Sequence, residues 1–224
     1  MLEKQNLLGL TQSKLKKFFS DLNEKPFRTK QIMQWIYHQG ASDFGDMHNF
    51  SKDLRQKLEA IASLDLPEVT SISHSKDGVI KWVIKLGEEN HIEAVFIPQK
   101  DRGTLCISSQ VGCSLACTFC STGYQGFNRN LENHEIIAQV LIAQNHLKAK
   151  DRRISNVVFM GMGEPMANYD EMIRSVKILT HSRGFGLGQR HITISTIGII
   201  SGIEKLAEEN LQIGLAISLH APNN

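Results

Sequence analysis

Residues 104–120 read Thr-Leu-Cys-Ile-Ser-Ser-Gln-Val-Gly-Cys-Ser-Leu-Ala-Cys-Thr-Phe-Cys, a strand-like stretch that runs into closely spaced cysteines. The segment from Thr104 to Ser109 has the composition of a β-strand. Cys113, Cys117 and Cys120 then form a CxxxCxxC loop just past that strand. In parallel sheets and barrels, functional sites form where the carboxyl ends of strands meet loops. The stretch therefore predicts an α/β fold whose functional site lies at the edge of the sheet where the parallel strands end, which we call the rim.

Downstream of this loop, predicted helices and strands alternate to the end of the sequence. They are a helix from about Asn133 to Leu147, a strand Asn156 to Met160, a helix Tyr169 to Thr180, a strand His191 to Thr196, a helix Gly202 to Glu209 and a strand Ile213 to Leu219. Repeated βα units predict a parallel sheet or barrel. Four such strands do not close a barrel. We therefore expect a partial (βα) barrel, incomplete at the C-terminus because this chain is part of a longer parent.

Upstream, a helical region precedes the barrel. Apolar residues at helical spacing, a candidate cap at Ser51 and a stop at Gly40 predict three short amphipathic helices. Period-two stretches follow at 79–86 and 91–98. We expect a small helical accessory domain over residues 1–65, a candidate for binding nucleic-acid phosphates, and a barrel core over 66–224. Its candidate phosphate contacts are Lys14, Lys16, Lys17, Lys25, Arg28 and Lys30. These cations fit equally well on the solvated face of a small bundle.

Bulk composition limits the class of protein. The chain has 224 residues, 41% of them hydrophobic, and a formal net charge of +2 that does not by itself indicate nucleic acid. We find no apolar run long enough to cross a membrane and no signal peptide, which predicts a cytoplasmic protein. All 4 cysteines fall between positions 106 and 120, which favours a metal site or catalysis over a disulfide framework.

The spacing of the cysteine loop is typical of an iron-sulfur site. Three thiolates on one loop can hold three irons of a 4Fe-4S cluster and leave the fourth iron open, a position that S-adenosylmethionine (SAM) can fill. Phe119, just before the last cysteine, is also a residue that radical-SAM loops carry. The alternative is a structural zinc site, which needs a fourth ligand such as His134.

Polar groups follow the next strands at the same predicted rim. Gly161-Met-Gly-Glu-Pro165 offers a backbone that a ligand can approach and a carboxylate that can accept hydrogen bonds from an ammonium group. An ordinary strand-to-helix turn with an exposed Glu164 is the alternative. Ser195 and the run Ser218-Leu-His220 end the last two strands. Each of these also fits a simple strand terminator.

The combination of motifs resembles a known family. The stretches 104–113, 125–130, 161–165 and 218–222 are similar to the radical-SAM RNA adenine-C2 methyltransferases of the RlmN type, and the resemblance extends over essentially the whole chain. It implies methylation of C2 of adenine in 23S ribosomal RNA and in tRNA. It also implies a 4Fe-4S cluster, SAM, an electron donor such as flavodoxin and a monomer without membrane contact. Radical chemistry is required because an electrophilic ring carbon is not methylated by simple displacement.

The resemblance also assigns roles to individual residues. It implies cluster ligation by Cys113, Cys117 and Cys120, a transient disulfide through Cys106, and a proton acceptor at Glu93, which fits a purely structural strand residue equally well. It implies SAM binding by Gly163, Glu164, Ser195, Ser218, Leu219 and His220.

The family's methyl-carrying cysteine has no counterpart, because no cysteine follows Cys120. We therefore expect this chain to bind a cluster without completing methyl transfer. Two other functions remain open: methylation of adenine C8, as in the antibiotic-resistance relatives, and a non-catalytic, metal-bearing RNA-binding module.

Overall fold

The computed structural model describes residues 4–115 and 117–220. Its α-helices are α1 (Gln12–Asp21), α2 (Phe27–Met33), α3 (Lys52–Ile61), α4 (Ser121–Tyr124), α5 (Asn133–Lys148), α6 (Tyr169–Thr180) and α7 (Ile200–Glu208). A π-helix (Gln34–Gln39) extends α2, and 3-10 helices cover Phe44–Asp46, Pro165–Asn168 and Gln189–His191. No helix of the described ranges has the length and apolar character to cross a bilayer.

Within the described residues, eleven strands form one large sheet and two small ones. They are β1 (Gln5–Asn6), β2 (Ala62–Ser63), β3 (Val69–His74), β4 (Ile80–Leu86), β5 (Asn90–Gln99), β6 (Arg102–Cys106), β7 (Gln110–Gly112), β8 (Phe127–Asn130), β9 (Asn156–Phe159), β10 (Ile192–Thr196) and β11 (Gly214–Ile217). The large sheet has the order β11-β10-β9-β6-β5-β4-β3, while β1 pairs with β2 and β7 with β8.

The large sheet is half parallel and half antiparallel. Strands β6, β9, β10 and β11 pair in parallel, which confirms the predicted partial barrel. Strands β3 to β6 form an antiparallel wing that the sequence did not predict. The wing is antiparallel because short turns join its strands, and Gly78 and Gly87 adopt left-handed φ angles of 87° and 75° in two of these turns.

The two faces of the large sheet differ in burial. Alternate residues such as Trp82, Phe96 and Leu105 are buried in the core, and helix α5 contacts β5. The intervening residues, such as Cys106, face the opposite side and are only half-buried. Full burial of each large apolar side chain contributes about 1.5–3 kcal/mol. The core face therefore stabilises the sheet, and the other face remains accessible.

The N-terminal helices pack against the sheet-bearing part in a common core. Ser51 caps α3 by accepting a hydrogen bond from the Leu54 N–H, and Gly40 ends the π-helix with φ 72°, both as predicted. The ring centroids of Tyr37 and Phe185 lie 5.1 Å apart. The domain boundary near residue 65 stays a prediction, but this contact keeps the N-terminal helices close to the barrel.

Candidate functional site

The candidate site lies at the carboxyl ends of the four parallel strands. Strand β6 leads into the cysteine loop, β9 into residues 161–165, β10 ends beside Ser195, and β11 leads into Ser218. Because the four strands run in the same direction, these segments lie along one edge of the sheet. The parallel half of the fold thus brings together the segments that the sequence singled out.

The cysteine loop is held between the two strands of the β7–β8 hairpin. The N–H of Cys113 donates to the carbonyl of Gly126 at 2.9 Å, and the N–H of Cys120 donates to the carbonyl of Cys117 at 3.0 Å. Gly112 has a φ of 72°, and a Cβ there would lie 1.8 Å from the Gly126 oxygen. Only glycine fits this close approach, which fixes where the loop begins.

The three thiols fit the ligand set of a 4Fe-4S cluster. All are half-buried. Burial is the main cause that raises the pKa of Cys113, and the neighbouring charges of Cys117, Cys120 and Glu164 raise it further. The three thiols share one short loop, although no three Cys, His, Asp or Glu side chains of the described residues are already arranged as a metal site. Three thiolates suffice for such a cluster, whereas a structural zinc needs four ligands.

His134, the alternative fourth ligand, lies elsewhere. Its Nδ1 is 3.3 Å from a carboxylate oxygen of Glu132. It also lines a groove of about 840 Å³ together with N-terminal residues such as Gly9. The structure does not bring His134 to the cysteine loop, which favours the cluster over zinc.

Glu164 is buried at the rim, with 3% of its surface exposed. One carboxylate oxygen accepts the Met166 N–H at 3.0 Å, and the other accepts the Ile197 N–H at 3.1 Å. Gly163 before it has a φ of 92°. The alternative of an exposed Glu is therefore wrong. A carboxylate has about four acceptor sites, so two remain for a ligand.

The ends of β10 and β11 meet beside the cysteine loop. The Oγ atoms of Ser195 and Ser218 lie 3.0 Å apart. The ring centroids of His220 and Phe119 lie 4.3 Å apart. Leu219 is exposed. The structure thus brings these residues to the cysteine loop, while residues 221 and 222 of the same motif lie outside the described ranges.

Cys106 and Glu93 lie on the half-buried face of the sheet, behind the rim. Cys106 pairs with Val95 of β5 and Val158 of β9, and burial raises the pKa of its thiol. The carboxylate of Glu93 forms an ion pair with Lys81 at 2.8 Å. This ion pair fits a structural strand residue. The Glu93 carbonyl also accepts from Ser108 Oγ at 2.7 Å, which places the residue near the start of the cysteine loop.

A set of buried polar side chains under the rim escaped the sequence analysis. Asn168 donates to the carbonyls of Ser109 and Leu131 at 2.9 and 2.8 Å, and Gln110 is buried beside it. The only signal was a polar residue, Gln110, directly before the cysteine motif. Such a signal does not distinguish a loop residue from a buried network.

The basic residues of the N-terminal domain divide into two groups. The exposed group consists of Lys14, Lys16, Lys17, Lys25 and Lys30. Arg28 instead lies over the rings of Phe27 and Phe50 and donates to the carbonyl of Asn49 at 2.9 Å. Its guanidinium is occupied by contacts within the domain, so we remove it from the candidate phosphate contacts.

Comparison with known proteins agrees with this geometry. The family model "Ribosomal RNA large subunit methyltransferase N-terminal domain" matches residues 5–64. The model "Radical SAM superfamily" matches residues 107–224. The chain belongs to the radical SAM superfamily. Its members are enzymes that use a 4Fe-4S cluster and SAM, in agreement with the three-thiol loop.

Similarity to relatives within the superfamily confirms the resemblance drawn from the motifs. The chain is 56% identical over 223 residues to the dual-specificity RNA methyltransferase RlmN of Vesicomyosocius okutanii, covering 100% of this chain and 62% of the relative. It is 51% identical over 225 residues to the protein of the same name from Pseudomonas putida strain F1, covering 99% of this chain and 59% of that protein. The chain thus spans about three fifths of the length of these curated relatives.

A crystal structure supports the same fold. A radical SAM methyltransferase from Sphaerobacter thermophilus superposes with a TM-score of 0.92 at 38% identity, over 98% of this chain and 65% of that one. The partial barrel and the N-terminal helices therefore adopt the arrangement of a radical SAM methyltransferase.

Proposed function

We propose that this chain provides the cluster, SAM and RNA sites of a methyltransferase that acts on C2 of adenine in 23S ribosomal RNA and in tRNA. The observation that carries the proposal is the single rim on which the cysteine loop, Glu164, Ser195 and Ser218 meet. The names of the relatives add the dual RNA specificity.

In this proposal Cys113, Cys117 and Cys120 hold the cluster. When bound, the cluster supplies the electron for reductive cleavage of SAM. The rim residues that bind and orient SAM are Gly163, Glu164, Ser195, Ser218, Leu219 and His220. Glu93 accepts a proton, and Cys106 supplies one thiol of the transient disulfide, whose other thiol would come from the family's methyl-carrying cysteine, which has no counterpart in residues 1–224. The last two roles rest on the resemblance and on the position of both residues behind the rim.

Iron content tests the cluster. Anaerobic reconstitution should give about four irons per chain, and alanine at Cys113, Cys117 or Cys120 should abolish uptake, because three thiolates are the minimum protein ligand set. Cys106→Ala is the matched control and should keep its iron. Equal iron loss in that variant would contradict the division of roles among the cysteines.

We further propose that the exposed lysines of the N-terminal helices contact RNA phosphates. Changing Lys14, Lys16 and Lys25 to Gln should weaken RNA binding across sequences and lower the salt dependence of affinity. The reason is that binding through fewer phosphate contacts releases fewer counterions. Lys205→Gln on α7 is the control. An unchanged salt slope in the triple variant would contradict the proposal.

The remaining features follow from this function. We propose a cytoplasmic location, because the proposed substrate is ribosomal RNA, and reduction of the cluster by an electron donor such as flavodoxin. We propose a monomer, which sedimentation of the purified chain would test.

A further inference from the structure

Gln110 is a buried side chain that joins three segments of the rim. It is 1% exposed. Its Oε1 accepts the N–H of Glu164 at 3.0 Å and the N–H of Ser114 at 3.4 Å. Its Nε2 donates to Oδ1 of Asn130 in β8 at 2.8 Å. One amide therefore connects the loop after β9, the cysteine loop and the strand that follows it.

The backbone after β9 also packs directly on Gln110. A Cβ placed on Gly163 would lie 2.5 Å from the Cβ of Gln110. The N–H of Gln110 donates to the carbonyl of Met162 at 3.2 Å. Asn130 in turn donates to the carbonyl of Ala167 at 3.4 Å. The contacts on both sides of Gly163 thus hold residues 162–167 against the segment that leads into the cysteines.

The chemistry of these contacts indicates a positioning role. An amide at 1% exposure is not available to react, and it titrates at no ordinary pH. An apolar replacement of equal size would leave the N–H groups of Glu164 and Ser114 without this acceptor, which favours separation of the two loops. A ligand that touches both loops binds tightly only while their spacing is preserved.

We propose that Gln110 is a positioning residue that holds the Gly163-Glu164 backbone in register with the cysteine loop and thereby sets the affinity for SAM. The inference rests on the proposed function. Gln110 fixes the spacing of the two loops, and the cysteines and rim residues make the contacts with the cluster and SAM.

The test compares two buried glutamines. Gln110→Met removes the three hydrogen bonds while preserving side-chain volume. The control is Gln139→Met: Gln139 is 0% exposed, and it binds both the N–H and the carbonyl of Ser108, at 2.8 and 3.0 Å. Both variants lose stability for the same reason, but Gln139 bonds only to the backbone of Ser108 and Glu135 and to none of the described residues of 113–120 or 161–167.

Three measurements on the reconstituted 224-residue chain separate the outcomes: iron per chain, SAM affinity by equilibrium dialysis, and the change in the EPR spectrum of the reduced cluster when SAM is added. Gln110→Met should keep its iron, bind SAM about tenfold more weakly, in line with the loss of roughly one hydrogen bond's net contribution, and show a smaller spectral change. Gln139→Met should match the unaltered protein in all three.

Two results would overturn the inference: SAM affinity within twofold of the unaltered protein in Gln110→Met, or an equal loss in Gln139→Met. If Gln110→Met does not fold, Asn130→Ala decides, because it removes the partner of Gln110 Nε2 and the hydrogen bond to the Ala167 carbonyl, both of which belong to the same set of contacts, and leaves Gln110 itself in place. Weaker SAM binding in that variant supports the inference, and unchanged binding overturns it. Failure of the unaltered protein to take up iron or bind SAM would overturn the proposed function together with the inference.

Discussion

Glu164 serves the fold at the same time as it faces the site. Its two oxygens accept the N–H groups of Met166, in the segment after β9, and Ile197, directly after β10. Glu164→Ala should lower the free energy of unfolding by about 2–4 kcal/mol, because the buried Met166 N–H left unpaired costs about 1–3 kcal/mol and the lost bond to the part-buried Ile197 N–H costs about 1 kcal/mol. Denaturant titration measures this. Glu204→Ala on the exposed side of α7 should change stability by less than about 0.5 kcal/mol.

The thiol of Cys106 is expected to be unreactive at neutral pH. Burial raises its pKa, with an opposing backbone hydrogen bond at Met160, so the folded protein holds the protonated form. Since the thiolate is the nucleophile, alkylation of Cys106 by iodoacetamide should be slow at pH 7 and should accelerate as pH rises above the ordinary cysteine range. Mass spectrometry of the peptide measures the rate. A rate at pH 7 equal to that in denaturant would contradict this expectation.

At the residue scale, the sequence predicted the features that depend on residue spacing and missed those that depend on which side chains are buried together. The CxxxCxxC spacing predicted a 4Fe-4S cluster, which the superfamily uses, and the assignment of its three cysteines as ligands stays a prediction. The roles of Gln110 and Arg28 depend on partners distant in sequence, Glu164 and Asn49. Nothing local marks these partners, so a glutamine appeared as a loop residue and an arginine as a surface cation.

Strand β8 is fastened to helix α5 by a two-pronged ion pair. Both terminal nitrogens of Arg129 lie 2.7 Å from the oxygens of Glu135, and this pairing is the main cause that raises the pKa of Arg129. Glu135 also completes the capping box of α5 by accepting the N–H of Glu132 at 2.9 Å. One carboxylate thus serves the helix start and the hairpin that holds the cysteine loop.

Arg129→Ala should lower the free energy of unfolding by about 1–2 kcal/mol. This cost is smaller than that of breaking a fully buried ion pair, because the Arg129 side chain is 37% exposed. Hydrogen exchange should show the loss of protection concentrated in β7 and β8. The control is Lys17→Ala, which breaks a pair with Asp21 whose side chains are 77% and 62% exposed and should cost about 0.5 kcal/mol or less. Equal costs in the two variants would contradict a special role for the Arg129 pair.

At the scale of elements, the sequence predicted the βα units well and the pairing of the first strands poorly. The predicted helix Tyr169 to Thr180 matches α6 at both ends. Period-two patterns found β4 and β5, but such a pattern fixes burial and leaves strand direction open. Direction follows from the turns, and the glycines at 78 and 87 were the signal for tight hairpins.

At the scale of the whole molecule, the N-terminal helices pack closely against helix α5 of the barrel. Gly9 packs on the start of α5, where a Cβ would lie 2.3 Å from the His134 nitrogen. Gln144 of α5 donates to the Tyr37 carbonyl at 3.0 Å. Deleting residues 1–60 would therefore expose core surface on α5, which is why substitutions of the exposed lysines test RNA binding more cleanly than a deletion.

At the same scale, the chemistry that residues 1–224 can perform follows from their thiols. We propose three cysteines as cluster ligands, and Cys106 is the only other one in the sequence. Its raised pKa makes it a poor acceptor of a methyl group from SAM at neutral pH. The rim nevertheless holds the groups that we propose for SAM.

We therefore expect the reduced, reconstituted 224-residue chain to cleave SAM to 5′-deoxyadenosine and methionine without forming 2-methyladenosine in unmodified ribosomal RNA. Chromatography of SAM products and of digested RNA nucleosides measures both outcomes, and Cys117→Ala, which lacks a cluster ligand, should show neither. Appearance of 2-methyladenosine would contradict the expectation and show that another residue carries the methyl group, with Cys106 as the candidate. In that case Cys106→Ala should abolish the product while SAM cleavage continues, since Cys106 lies outside the cluster ligand set.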